Sequence, residues 1–407
     1  MVQADCTHLI TLPERSDSDK GDLPLPTGVR VLTIDRQLET ILRSHARPHT
    51  NTPSQTGGQD AIQAIVFTSG TTGRPKGAML TYANHFYNAV GSAFRLGILP
   101  SDQWLVCMPL YHVGGMAIIL RACLYGIAVI LHDGFSPERV SSDLERLPIS
   151  IVSLVPTMLF RLLPISQPER WKSLRFVLLG GGAATAELLQ AAHQVGIPVA
   201  TTYGLTEAAS QVATMPPTQA LGKPGSVGKP LLFTQVRITD ESGTRLEQGE
   251  IGEIRVHGPG VFDGYYGNEQ ATERALPSGE LRTGDLGYLD SDGDLWVVQR
   301  RSDLIVSGGE NVYPAEVEQV LMQHPAVSAV CVVGLSDPEW GQRVAGLVVA
   351  EEVGSADDLI AFARLHLAAY KVPRTLVLAD ELPLTGSGKI SRTAVADILR
   401  QATGTPA

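Results

Sequence analysis

With 407 residues, 43% of them hydrophobic and 18% charged, the chain has the composition of a folded globular protein. It is too long for one compact core, since single cores stop growing near roughly 250 to 300 residues. A formal net charge of -10 with no Lys/Arg run opposes the counterion release that drives nucleic-acid binding, so nucleic acid is excluded as an expected partner. The apolar run from Gly114 to Leu120 falls far short of the ~20 residues that cross a bilayer. The N-terminus is polar and Ser/Asp-rich, unlike a signal peptide, and a cytoplasmic protein without a membrane span is the expectation. Cys6, Cys107, Cys123 and Cys331 show no C-x-x-C pairing and lie mostly in apolar strings, which predicts reduced, buried thiols rather than disulfides or a zinc site.

In chain order, the first sixty residues offer one strand-like piece, Val29 to Ile34, and a short amphipathic stretch around Leu38 to Leu42. From Ala61 the pattern changes to an apolar strand (AIQAIVF), a Gly/Thr/Pro loop, a second short strand and a helix from about Tyr82. Strand-like runs at Trp104 to Met108, Ala128 to Leu131, Ile151 to Leu154 and Phe176 to Leu179 alternate with helical stretches, as in a sheet covered by helices. Between about Gln211 and Gln299, short strands with the turn signals DESG, EQGE and DSDGD predict a β-rich subdomain. Past a basic turn, Arg300 to Asp303, comes the helix NVYPAEVEQVLMQH, with Pro314 near its start where a missing N–H costs nothing. Strands VSAVCVVGL and RVAGLVVA, helix DDLIAFARLHLAAY, strand TLVLAD and a last helix near Thr393 to Gln401 complete the chain. The predicted fold class is α/β and α+β: partly irregular residues 1–60, a large lobe of layered sheets and helices over 61–299, a connection at 300–303 and a small α+β lobe over 304–407.

Thr68 to Gly77, TSGTTGRPKG, lies between two apolar strands and brings hydroxyls, glycine N–H groups and one lysine together, the inventory that cradles a polyphosphate. It is not a Walker A loop, because the G-x-x-x-x-G-K-[ST] spacing is absent and a strand follows. Further along stand GGGAAT (Gly180 to Thr185), YGLTE (Tyr203 to Glu207), TGD (Thr283 to Asp285) with Arg300, and PLTGSGKI (Pro383 to Ile390). YGLTE, TGD and the Gly-Lys loop are each, taken alone, more often an ordinary turn, while GGGAAT is less often so. Their order and separation are what make them specific.

Together, from about Ala61 to the C-terminus, these motifs resemble the adenylate-forming superfamily of acyl-CoA synthetases, luciferases and peptide-synthetase adenylation domains. The resemblance implies ATP, Mg²⁺ and coenzyme A, a small-molecule acid as substrate, and a small C-terminal lobe that is mobile. It assigns the β and γ phosphates of ATP to Thr68, Ser69, Gly70, Thr71, Thr72, Gly73 and Lys76. Tyr203 would pack on adenine, Thr206 would contact the α-phosphate, and Glu207 would help hold Mg²⁺, a hard cation that takes oxygen ligands. Asp285 and Arg300 would grip the ribose. Gly180, Gly181, Gly182 and Gly204 would line the adenine and acyl pocket, where a missing side chain permits close approach. Lys389 would enter the site only for the first half-reaction, where a cation stabilises charge developing at the α-phosphorus. The lobe would then rotate about a hinge that aligns with Ser302, a position where many relatives carry Asp or Lys, and present Ser307 to Asn311 in the second state.

The stretch NHFYNAVGSAFRLGILPSDQWLVCMPLYHVGGMAIILRACLYG resembles most closely the 2-succinylbenzoate:CoA ligases of menaquinone biosynthesis. That resemblance implies an aromatic dicarboxylate, with His112 gating the acyl pocket and Arg121, a cation in an apolar run, anchoring the ring carboxylate. Another aryl or acyl acid:CoA ligase is the first alternative, and a catalytically silent member of the fold is the second. Relatives carry well over a hundred residues before the phosphate loop where 67 stand here, so residues 1–60 read as the remnant of a first subdomain. Helices left uncovered by that layer would favour association, a homodimer being the simplest form.

Overall fold

The computed structural model describes residues 8–11, 30–33, 58–68, 76–182, 184–300, 303, 305–307, 310–337, 340–351, 355–386 and 388–403. Strands β1 (His8–Thr11) and β2 (Arg30–Thr33) pair in parallel. A hairpin follows, β3 (Ile62–Thr68) and β4 (Lys76–Thr81), in antiparallel register with Thr68 opposite Lys76. Helix α1 (Tyr82–Leu96) starts directly after β4 because Thr81 and Asn84 form a reciprocal capping box, with bonds of 2.8 and 3.1 Å. Such a cap contributes about 1 kcal/mol.

The β/α alternation then runs as β5 (Gln103–Val106), α2 (Val113–Tyr125), β6 (Ala128–Leu131), α3 (Pro137–Arg146), β7 (Ile151–Leu154), α4 (Pro156–Leu162), β8 (Phe176–Leu179), α5 (Ala186–Gln194) and β9 (Val199–Leu205). Antiparallel β10 (Ser210–Met215), the short helix α6 (Pro217–Ala220) and β11 (Lys229–Pro230) close a seven-stranded sheet ordered β11-β10-β9-β8-β7-β5-β6. Strands β7 and β8 are buried at every position, which is why they read as apolar runs rather than as alternating ones, with Ser153 in β7 accepting from Trp104 Nε1 at 3.0 Å. Leu105, Val152, Leu154, Leu159, Val177 and Leu179 make the core on one face, and Trp104, Val106, Ile118 and Phe176 that on the other.

The β-rich part contains β12 (Gln235–Thr239), β13 (Gly252–His257), β14 (Gly264–Tyr265), α7 (Glu269–Ala275), β15 (Leu281–Leu289) and β16 (Leu295–Arg300). Strands β12-β13-β15-β16 form one antiparallel sheet, while β14 adds to the β3–β4 hairpin. The DSDGD turn joining β15 to β16 is closed by Lys223, whose Nζ lies 2.8, 2.6 and 2.5 Å from the carboxylates of Asp290, Asp292 and Asp294.

The last lobe comprises β17 (Ile305–Ser307), β18 (Glu310–Val312), α8 (Pro314–Leu321), β19 (Val327–Asp337), β20 (Gly341–Ala350), α9 (Ala356–His366), β21 (Thr375–Leu378) and α10 (Arg392–Thr403). Its sheet buries one face under α8 and α9 and the other under α10. Arg392 ties the layers together, donating to Glu318 at 2.8 and 3.1 Å and to the Val332 carbonyl. The fold class is therefore α/β and α+β, a large N-terminal part followed by a smaller C-terminal one. No helix among the described residues is long and apolar enough to cross a membrane.

Two expectations are corrected. Cys107 and Cys331 are buried thiols, but Cys123 is exposed on the outer side of α2. Burial pushes both buried thiols up to about 12, so neither is a thiolate at neutral pH. The helix expected from Asn311 instead begins at Pro314, and Glu310–Val312 pairs with β17 as a strand.

Candidate active site

The C-terminal end of the parallel sheet carries most of the sequence motifs. Gly180, Gly181 and Gly182 follow β8; at Gly180 and Gly181 the absence of a side chain has a steric or conformational reason, whereas a Cβ on Gly182 would meet only Pro156 at 3.6 Å, an ordinary contact. A Cβ on Gly180 would come within 2.7 Å of Thr202 Cγ2. Gly181 has φ +78°, and a Cβ there would lie 3.0 Å from Lys389 Cε and 3.4 Å from Lys389 Nζ. Lys389 thus lies directly over Gly181, although 208 positions separate the two in sequence.

Tyr203 is buried on β9 and its hydroxyl donates to Asp285 Oδ2 at 2.6 Å, joining YGLTE to TGD. Asp285 is held from behind, with its N–H donating to Thr283 Oγ1 at 3.0 Å, and Thr283 in turn donates to the Ile254 carbonyl at 2.7 Å. Across the β15–β16 ladder Asp285 stands opposite Arg300. A Cβ on Gly204 would lie 1.5 Å from the Ser210 carbonyl oxygen, so only glycine fits where β9 bends against β10. Between those strands a single-turn helix carries Thr206 and Glu207, followed by two non-glycine residues at positive φ, Ala209 (+53°) and Ser210 (+105°). Backbone strain of this kind costs on the order of 1–3 kcal/mol per residue and persists where surrounding contacts over-determine the loop. Asn88 provides such contacts, its amide donating to the carbonyls of Ala208 (3.1 Å) and Gln211 (2.7 Å).

Glu207 Oε1 accepts from the Tyr265 hydroxyl at 2.8 Å, and Lys76 Nζ lies 5.3 Å from the centroid of the same ring. One aromatic side chain therefore connects the lysine of the Gly/Thr loop with the acid of YGLTE. Tyr265 was not legible as a site residue, because nothing in GYYGN marks it and its partner is 58 positions away. The second carboxylate oxygen of Glu207 has no hydrogen-bond partner among the described residues, which suits a hard cation that takes one or two carboxylate ligands beside phosphate oxygens.

Thr68 and Lys76 end the strands that bracket the loop. Ser69, Gly70, Thr71, Thr72 and Gly73 lie outside the described residues, as do Ser302 and the side chain of Arg300.

His112, expected at the end of a strand, is instead the N-cap residue of α2, six positions beyond the last residue of β5. The Gly pair beside it has a steric reason, because a Cβ on Gly115 would lie 2.4 Å from the Pro109 carbonyl oxygen. Partial burial, and then the charge of Lys389, lower the pKa of His112 and favour the neutral imidazole at pH 7. Tyr111 packs against it with ring centroids 4.5 Å apart. Arg121 is buried on α2, where Nη2 donates to Asn88 Oδ1 at 2.6 Å, and no carboxylate among the described residues pairs with it. The Arg121 charge and burial hold the neighbouring His85 down to about 4, burial being the larger cause.

A strand-end glycine cradle, a buried tyrosine–aspartate pair and a lysine brought in from a distant loop stand together, the arrangement that the resemblance to adenylate-forming enzymes implies. The AMP-binding enzyme profile matches residues 1–266 and that of the AMP-binding enzyme C-terminal domain residues 316–389. A 2-succinylbenzoate–CoA ligase of Bacillus cereus is 40% identical over 400 residues, covering 98% of this chain and 80% of the relative. Among solved structures, the o-succinylbenzoate CoA synthetase of Bacillus subtilis in complex with its acyl-adenylate intermediate is 38% identical. Its TM-score is 0.82, with 95% of this chain and 77% of that one covered. The same enzyme with ATP and magnesium is 37% identical at TM-score 0.82, covering 97% of this chain and 80% of that one. The chain belongs to the AMP-binding enzyme family.

Proposed function

We propose that this chain is an ATP-dependent 2-succinylbenzoate:CoA ligase that works through an acyl-adenylate. The placement of Lys389 over Gly181, beside His112, is the single observation that carries the chemistry. In the first half-reaction a carboxylate oxygen of the acid bonds to the α-phosphorus of ATP, and the bond to diphosphate breaks. A cation fixed at that point stabilises charge that grows only in the transition state. Glu207 would hold Mg²⁺, which neutralises phosphate charge when bound, while Lys76 and the Gly/Thr loop would hold the diphosphate end. Tyr203, locked by Asp285, presents its ring face to the base, and Asp285 is placed to accept from a ribose hydroxyl. In the second half-reaction the thiol of coenzyme A gives up its proton to solvent, its sulfur bonds to the acyl carbon, and the bond from that carbon to the phosphate oxygen breaks as AMP leaves with the oxygen. The identity of the acid is supported by the names of the relatives and by Arg121, a buried cation without an acidic partner among the described residues, to which a second carboxylate on the substrate would be the counter-charge.

The test is exchange of labelled diphosphate into ATP over a panel of aryl and acyl acids. The expected result is exchange with 2-succinylbenzoate far above that with monocarboxylates. Lys389→Ala should lower it on the order of a hundredfold or more, as for removal of one preorganised donor. Exchange with no organic acid at all would overturn the ligase reading, and preferential exchange with another acid would overturn the substrate.

A further inference from the structure

Lys389 sits near the end of the loop Pro383–Ile390, which is closed on itself. The N–H of Thr385 donates to the Lys389 carbonyl at 2.6 Å, the Lys389 N–H donates to Thr385 Oγ1 at 3.2 Å, and Leu384 bridges Ile390. Those bonds set the shape of the loop but not its seat on the large lobe. A contact across 231 positions does that: Thr157 Oγ1 donates to the carbonyl oxygen of Gly388, the residue immediately before Lys389. Thr157 is the second residue of α4, and its own first turn is built on Pro156, so its hydroxyl is not spent capping that helix. Gly388 has φ +79°, which turns its carbonyl toward α4 while the next side chain runs over Gly181. The walls of the seat are apolar, with Val155 Cγ2 3.6 Å and Met158 Cε 3.7 Å from where a Cβ on Gly388 would lie. Gly388 is half-buried there, and among the described residues Thr157 is the side chain that donates to its carbonyl.

We propose that Thr157 is a positioning residue for the first half-reaction: its hydroxyl holds the Gly388 carbonyl and so fixes Lys389, without touching either substrate. The proposal rests on the ligase reading. The Thr157–Gly388 bond exists only while the loop is seated, so its loss raises the energy of the adenylate-forming arrangement and of no other. Thioester formation, which uses the cleft after Lys389 has withdrawn, does not draw on it.

The experiment compares the wild type with Thr157→Val, which keeps shape and removes the donor, and Thr157→Ser, which restores the donor. Acyl-adenylate formation is followed in a single turnover with ATP, Mg²⁺ and 2-succinylbenzoate. Thioester formation is followed separately from synthetic acyl-adenylate and coenzyme A. One lost hydrogen bond to a half-buried carbonyl should slow adenylate formation in Thr157→Val by about threefold to tenfold. Thioester formation should stay within about twofold of wild type, and Thr157→Ser should recover most of the first rate. Equal losses in the two steps would indicate a structural role for Thr157, and an unchanged first step would show that the bond positions nothing; either result overturns the proposal. The wild-type rate reports on the substrate independently, since the ratio between variants is read with whichever acid the wild type adenylates.

Discussion

Arg121 and His85 are two neighbouring buried side chains, a cation and a titratable ring, with no carboxylate among the described residues paired to either. Arg121 keeps its charge in an apolar surround with an amide for a partner, and burial lowers its pKa as a consequence. Truncating one partner of a buried charge pair costs about 2–5 kcal/mol. If a substrate carboxylate completes the pair, Arg121→Leu should raise KM for 2-succinylbenzoate by more than about tenfold and leave an aryl monocarboxylate nearly untouched. A KM shift common to both substrates would place Arg121 in the scaffold behind Asn88 instead. His85 carries the matching stability signature, with a native pKa of about 4 and Nε2 without a hydrogen-bond partner. An unfolded histidine binds its proton near pH 6.5. The unfolded state therefore gains a proton that the native state refuses, and the contribution of His85 is complete above about pH 6.5 and is lost as pH falls toward 4. At about 1.4 kcal/mol per pH unit the whole effect is on the order of 3 kcal/mol. Urea denaturation of the wild type and His85→Asn between about pH 7 and 4.5 should give the flatter pH profile for the variant, and parallel profiles would refute the assignment.

At the level of elements, the sequence pattern served where burial is simple and failed where pairing is remote. The runs 128–131, 151–154 and 176–179 are strands with those bounds; 151–154 and 176–179 are central parallel strands buried at every position, whereas 128–131 is the half-exposed edge strand of the same sheet. Tyr82 begins a helix because the cap that announces it, Thr81 with Asn84, is local. Asn311 and Val312 belong to a strand rather than to the start of the expected helix for the opposite reason. Tyr313 precedes Pro314 and is kept extended (φ -87°, ψ 112°), so the residues before it are available to pair with β17, a partner that no local pattern names. The site shows the same division. Glycines, Tyr203, Glu207, Asp285 and Lys389 were legible as motif members, whereas the contacts that orient them join residues 58 to 231 positions apart. The DSDGD segment was read as a turn, yet its three carboxylates are held by Lys223 on a different segment, and that clamp fixes the β15–β16 ladder on which Asp285 and Arg300 stand opposite each other.

For the molecule as a whole, the consequential contact is the one between the C-terminal loop and the cleft of the large lobe. With Lys389 seated, His112 faces a fixed cation, and its pKa falls through burial and that charge. Protonating His112 would put a second cation beside the first, so acidification below the ordinary histidine value of about 6.5 must weaken seating of the loop. The sign follows from the direction of the shift: neutral His112 is the form compatible with the seated loop, and the adenylate-forming arrangement is lost as pH falls through the lowered pKa. If thioester formation proceeds with Lys389 withdrawn, as the proposed two-state cycle requires, its acidic limb should lack this component. Profiles of both half-reactions over about pH 5 to 8 should therefore diverge on the acid side, adenylate formation falling first. In His112→Asn, which cannot take up the proton, adenylate formation should lose that limb while keeping its dependence on Lys389. If both steps of the wild type fall together with acidification, or if His112→Asn keeps the same limb as the wild type, the charge on His112 does not control how the small lobe seats against the large one.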